Sequence, residues 1–190
     1  MPWNPDHKAT SRDRIIDAAA DLFSKHGFDQ VGIDQVMQQA GLTRGAFYSH
    51  FESKSQLYRE AIRSIGTRNR QMLQQRQPTL QQMLQGYLSM AHRTGEDLKC
   101  SLAFMVTDVA HRDEEVRTAY TETFTRFVEQ LSTRLPSDTS TSERISEDAL
   151  RTAATMIGAV AVARAINDDS LAESLLSACE RALINELEEC

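Results

Sequence analysis

The chain has 190 residues, 41% of them hydrophobic, enough for one large domain or two small ones that share a core. No apolar run reaches the roughly 18–20 residues of a bilayer span, and residues 1–6 lack a secretory-type apolar stretch, so neither feature is expected. The net charge of -6 argues against a nucleic-acid binder until it is divided along the chain. Residues 1–70 hold 10 Lys and Arg against 8 Asp and Glu, and the remainder holds 11 against 19. Only the first third can face a polyanion without strong repulsion.

Gly and Pro are scarce, at 8 and 4, and Ala, Leu, Gln, Glu and Arg are plentiful, which predicts an all-α fold. Cys100, Cys179 and Cys190 are odd in number and lack metal-ligand spacing. They point to reduced thiols, a cytoplasmic location, and neither a metal nor a cofactor. Residues 1–9 hold two prolines and no periodicity and are expected to form a mobile arm. A first helix is predicted from Thr10 or Ser11, with Ile15, Ile16, Ala19, Leu22 and Phe23 on one face. Lys25, His26 and Gly27 end it.

A second helix spans about Ile33 to Ala40, with Ile33, Val36, Met37 and Ala40 inward. Gly41 ends it, Leu42 packs inward, and Thr43 caps a short third helix from Arg44 to His50, anchored by Phe47 and Phe51. Ser53 caps a longer fourth helix through Leu57, Tyr58, Ala61, Ile62 and Ile65, stopped at Pro78 because Gln77 is driven out of helical geometry. Five further helices are predicted over Thr79–Thr94, Asp97–Arg112, Asp113–Leu135, Ser142–Asn167 and Ser170–Glu189, about nine in all. The run from Leu135 to Ser142 is a low-complexity loop.

The unit from Gln35 to Phe51 has the short, glycine-bearing turn of a helix-turn-helix. Its second helix is short enough to enter a major groove end-first. Arg44 can reach a guanine edge or a phosphate, and Gly45 allows close backbone approach. Thr43, Tyr48, Ser49, His50 and Lys54 complete a DNA-facing set in which Tyr48, His50 and Lys54 address phosphates. No nucleophile elbow, phosphate loop or metal pattern suggests an enzyme.

These residues, from Lys25-His26-Gly27-Phe28 through Ala40-Gly41-Leu42-Thr43-Arg44-Gly45-Ala46-Phe47-Tyr48 to Ser53, Lys54 and Leu57, closely resemble the N-terminal domain of TetR/AcrR-type transcriptional regulators. The resemblance covers about residues 10–62. It departs from the family where Gly32 replaces the usual Thr or Ser, so no hydroxyl contact is expected there. It implies a three-helix DNA-binding domain over 10–53. A ligand-binding and dimerisation domain would follow over 54–190, with 54–76 as the connecting helix. The function implied is transcription regulation by a ligand-responsive repressor that binds a near-palindromic double-stranded DNA operator as a homodimer.

Its small-molecule effector would occupy a cavity among Met83, Tyr87, Met90, Cys100, Phe104, Met105, Phe124, Phe127 and Met156, since methionines and aromatics adapt to varied shapes. Ordinary bundle core is the competing reading for each. The last two helices, through the small-residue run Thr155–Ala163 and Leu171, Leu175, Leu176, Leu183 and Leu187, are expected to form the dimer interface. Burial within one subunit is the other option. Two alternatives for function are a thiol sensor acting through Cys100, activated by Lys99 and a helix N-terminus, and a helical adaptor that binds only protein.

Overall fold

The computed structural model describes residues 5–95, 99–135 and 145–188. Among these there are eleven helices and no strand. They are α1 (Pro5–Gln30), α2 (Ile33–Gln39), α3 (Arg44–Phe47), α4 (Lys54–Arg76), α5 (Leu80–Tyr87), α6 (Met90–Thr94), α7 (Ser101–Phe104), α8 (Val106–Val109), α9 (Glu114–Ser132), α10 (Glu147–Ala165) and α11 (Asp169–Glu188).

Most helices open on a side chain that accepts an otherwise orphaned backbone amide. Ser53 accepts from Gln56, Ser89 from His92, Asp113 from Val116 and Ser146 from Ala149. Thr79 accepts from Gln82, whose side chain in turn accepts from the Thr79 amide, a reciprocal cap.

Several boundaries differ from those read in the sequence. Helix α1 begins at Pro5, not at Thr10 or Ser11, because proline's fixed φ suits a first helical turn. Only residues 1–4 of the expected arm lie outside the described residues. The span from Thr79 to Thr94 breaks at Leu88–Ser89, where the Ser89 hydroxyl takes the role of a new cap. The span from Asp97 to Arg112 splits at Met105 into α7 and α8. Leu102 enters one core and Met105 another, and two residues three apart on a regular helix would share a face. Ser146, not Ser142, opens α10; the expected loop over 136–142 lies outside the described residues, as do Asp97, Glu189 and Cys190. Gln77 leaves helical geometry for a left-handed turn at φ 44.

The interior has two hydrophobic clusters. One joins α1–α4 and includes Ile15, Phe23, Val36, Phe47, Phe51, Leu57 and Ile62, together with Met105, Val109, Val116 and Ala119 from beyond the connecting helix. The other joins α5–α7 with α9–α11 around Leu84, Leu102, Val128, Leu131, Met156, Val160 and Leu176. Tyr120 packs against both. The first half of α4 is therefore core of the N-terminal unit, lying against α1 and α9.

The junction between the units is polar and specific. Helix α1 breaks at Gly27, whose φ of 76 only glycine adopts without strain. The Phe28 amide, freed by that break, donates to Asp108 Oδ2 of α8 at 2.6 Å. Arg112 donates to both carboxylate oxygens of Asp29 and also lies 4.4 Å from the centre of the Phe28 ring. The ammonium of Lys54 stands 4.3 Å from the same ring. A Cβ on Gly27 would lie 2.8 Å from Asp108 Oδ2. Replacing Gly27→Ala is expected to destabilise the fold by about 1–3 kcal/mol, from left-handed strain and loss of the amide's acceptor. Chemical denaturation at fixed protein concentration measures it, and an unchanged midpoint would refute this account of the junction.

Candidate nucleic-acid interface and internal cavity

The helix-turn-helix is fixed from below by its apolar residues. Phe47 and Phe51 are buried, and Leu42 donates its amide to the Met37 carbonyl at 2.9 Å. Gly41 turns the chain at φ 65. With those anchors set, Thr43, Arg44, Gly45, Tyr48 and Ser49 are left exposed on one end of α3 and the turn after it. Tyr48 is the most exposed large apolar side chain of the protein's described residues, at 61%, braced edge-on against buried Phe47.

Each polar member of the set has a definite state. Thr43 occupies the extended cap position of α3, but its hydroxyl bonds no helix amide, contrary to the capping role expected of it. Arg44 forms an exposed ion pair with Asp34 of α2 at 2.7 Å. Such a pair is worth roughly 0–1 kcal/mol and yields readily to a stronger anion. Ser49 donates to the Ala46 carbonyl. His50 is half-buried, its Nδ1 lacks a partner, and burial, then nearby Lys8 and Arg12, hold its pKa down. Lys54 stands apart from the exposed row, half-buried over Phe28, with its pKa lowered by burial first.

The second site is a cavity of about 530 Å³ between the far half of α4, α5, the start of α6, α7 and α9. That volume lies within the range of small-molecule sites, roughly 300–1,000 Å³. Of the nine residues expected around an effector, Met83, Tyr87, Cys100 and Phe127 line it. Met90, Phe104, Met105, Phe124 and Met156 do not. Met105 and Met156 are fully buried in the two separate cores, and Phe104 is covered by the guanidinium of Arg164 at 3.7 Å. The sequence reading passed over Asn69, Arg70, Arg76, His92 and Arg126, which also line the cavity. On α4 the missed signal was the loss of apolar periodicity after Ile65. Gly66 there meets Thr123 so closely that a Cβ would lie 2.6 Å from its methyl group.

Cys100 is not the activated thiol that its sequence neighbours suggested. It is 3% exposed; its sulfur lies 3.2 Å from the Tyr87 hydroxyl and accepts from the Ala103 amide at 3.3 Å. Lys99 is turned away to Asp21 at 3.0 Å. Burial pushes the Cys100 pKa up and outweighs the hydrogen bonds that lower it. His92 is also buried, its Nδ1 2.6 Å from the Tyr87 carbonyl and its Nε2 without a partner, and burial holds its pKa down.

Val162 and Leu171, at 53% and 55% exposed, mark an uncovered apolar face on α10 and α11. Other members of the expected interface, among them Met156, Val160, Ala163, Leu176 and Leu183, are buried inside the subunit. The side chain of Leu187 lies outside the described residues. Among the described residues no helix is long and apolar enough to cross a membrane, and no cluster of His, Cys, Asp or Glu could hold a metal ion.

Comparison with known proteins agrees with this architecture in both halves. Residues 15–61 match the family model "Bacterial regulatory proteins, tetR family". Residues 77–182, more than half the chain, match "Transcriptional regulator LmrA/YxaF-like, C-terminal domain". The chain therefore belongs to the TetR/AcrR-type transcriptional regulators, and its C-terminal domain is of the LmrA/YxaF-like kind.

Curated relatives align over limited stretches of the chain. The transcriptional regulator SrpR of Pseudomonas putida is 41% identical over 54 residues, 28% of this chain and 25% of that protein. An Escherichia coli protein named "Probable acrEF/envCD operon repressor" is 33% identical over 79 residues, 42% of this chain and 30% of its own length. The chain thus spans less than a third of these relatives. Solved structures match the fold nearly end to end. A TetR-family regulator from Cytophaga hutchinsonii superposes with a TM-score of 0.76 at 19% identity, covering 96% of this chain and 98% of that one. The reduced form of Escherichia coli NemR gives 0.74 at 19% identity, covering 92% and 95%.

The geometry of Cys100 carries a direct expectation. In the native protein it should alkylate with iodoacetamide at pH 7 at least about tenfold more slowly than in denaturant, because a buried neutral thiol is a poor nucleophile. Peptide mass spectrometry reads this, and fast native labelling would restore the sensor alternative.

Proposed function

We propose that the protein is a ligand-responsive repressor that binds a near-palindromic DNA operator as a homodimer. The reading is carried by one observation: the exposed row at α3 and the cavity are joined by one continuous helix. Helix α4 starts beside the row and ends in the cavity wall. A single four-residue recognition helix gives little affinity, and two copies about 34–36 Å apart would enter successive major grooves.

In the complex Thr43, Tyr48 and Ser49 address phosphates, and the backbone at Gly45 approaches the duplex closely. Arg44 exchanges Asp34 for a phosphate or guanine edge. His50 borders this surface and Lys54 supports it from the junction. The uncovered face of α10 and α11 supplies the dimer contact.

Response to a ligand follows from the wall of the cavity. Cys100, Ser101 and Leu102 line it, and the next helix, α8, holds Asp108 against Phe28. A ligand that favours a different placement of α7 would loosen or shift that contact and re-aim the DNA-binding unit. It lowers DNA affinity only by its differential affinity for the two arrangements.

Fluorescence anisotropy with duplexes selected from a random library tests the DNA reading. Affinity should fall steeply with salt, and Tyr48→Ala should weaken all duplexes alike by about tenfold. Unchanged affinity in that variant would reject this face. For the dimer, Val162→Glu combined with Leu171→Glu should give monomers by light scattering, since charge cannot be buried unpaired at low cost. A variant that remains fully dimeric would place the interface elsewhere.

A further inference from the structure

The cavity has a charge balance opposite to that of the whole chain. Arg70, Arg76 and Arg126 line it, and among the described residues no aspartate or glutamate does. This occurs in a chain where Asp and Glu number 27 against 21 Lys and Arg. Several guanidinium groups elsewhere are neutralised: Arg12 by Glu60, Arg63 by Glu122, Arg93 by Asp169, Arg112 by Asp29. Among the described residues, no ion pair engages Arg70, Arg76 or Arg126.

The three arginines are exposed, two from α4 and one from α9, so they belong to the mouth of the cavity. The inner wall has the opposite character. Met83, Leu102 and Phe127 are apolar, and Tyr87, Cys100 and His92 are buried. Burial raises the pKa values of Tyr87 and Cys100 and lowers that of His92, so each is held in its uncharged form. Neutral groups inside and unpaired cations at the opening match a molecule with the reverse polarity at one end only.

We infer that the cavity takes an organic anion, its apolar body seated against Met83, Leu102 and Phe127 and its carboxylate-type head held by Arg70, Arg76 and Arg126. This rests on the ligand-responsive reading above. Guanidinium recognises a carboxylate through paired, charge-assisted hydrogen bonds. A cationic molecule of the same shape meets like charge, with no carboxylate among the described lining residues to receive it.

Isothermal titration calorimetry of the purified full-length protein tests this with decanoate, decanol and decyltrimethylammonium, each below its aggregation threshold. These probes share a body and differ in the charge of the head. Decanoate should bind about tenfold or more tightly than decanol, with the cation weakest. In the combined variant Arg70→Gln, Arg76→Gln, Arg126→Gln, the decanoate-to-decanol ratio should fall to about one. Circular dichroism confirms that this surface variant is folded.

A cation that binds best, a variant that keeps the anion preference, or no binding by any probe would overturn the inference. DNA release by the same probes, read by anisotropy on the selected duplex, separates the two proposals. Release by decanol or the cation but not by decanoate leaves the repressor reading standing and removes this one. Arginine-dependent decanoate binding without any change in DNA affinity does the reverse.

Discussion

A helix that breaks at Gly27 exposes a backbone amide with no helical acceptor, and the carboxylate of Asp108 supplies one from 80 residues further along the chain. Much of the relation between the two halves of the molecule depends on that bond. A buried or half-buried amide left without an acceptor would cost about 1–3 kcal/mol, so Phe28 and α8 are held in register. Around it the Phe28 ring has the cations of Lys54 and Arg112 within 4.4 Å of its centre, and meets Tyr58 edge-on at 5.0 Å. Three segments distant in sequence, the end of α1, the start of α4 and the turn after α8, meet at one aromatic ring.

That junction gives the connecting helix two allegiances. Its first half is core of the DNA-binding unit, with Leu57, Tyr58, Ala61, Ile62 and Ile65 all buried. Its second half is the wall of the cavity. Gly66 marks the change, because only a residue without a side chain lets α4 and α9 approach so closely at Thr123. A polar network runs beside it. Asp21 of α1 is held to a pKa of about 2: burial alone would raise it, but hydrogen bonds from Lys25, Lys99 and Gln39 prevail. Asn69 then donates to the Lys99 carbonyl from the cavity wall.

The N-terminal unit was legible in the sequence because its signals are local. Periodic apolar residues, a glycine turn and the threonine before α3 identify it without knowledge of distant contacts. The long helices α4, α9, α10 and α11 were legible for the same reason, to within a few residues at their ends. The divisions at Leu88–Ser89 and Met105 were not, because tertiary packing decides them. Met105 reads as one more apolar residue in a helical period until a second core claims it. The cavity was half legible. Methionine and aromatic content pointed to Met83, Tyr87 and Phe127, but whether such a residue lines a void or fills a core depends on neighbours contributed by other helices. The arginines read as solvated surface because their lack of acidic partners is visible only in three dimensions. Lys99 misled for the same reason: adjacent to Cys100 in sequence, it turns to Asp21 in space.

The division of α5 from α6 and of α7 from α8 has a mechanical meaning. Helices of four or five residues contain few internal hydrogen bonds, and their opening costs little compared with that of a helix of 19 or 23 residues. Short pieces supply one side of the cavity, around His92 and Cys100–Leu102, while α4 and α9 supply the other. The chamber therefore has a rigid jamb and a compliant door. The compliant side leads directly to Asp108 and the break in α1.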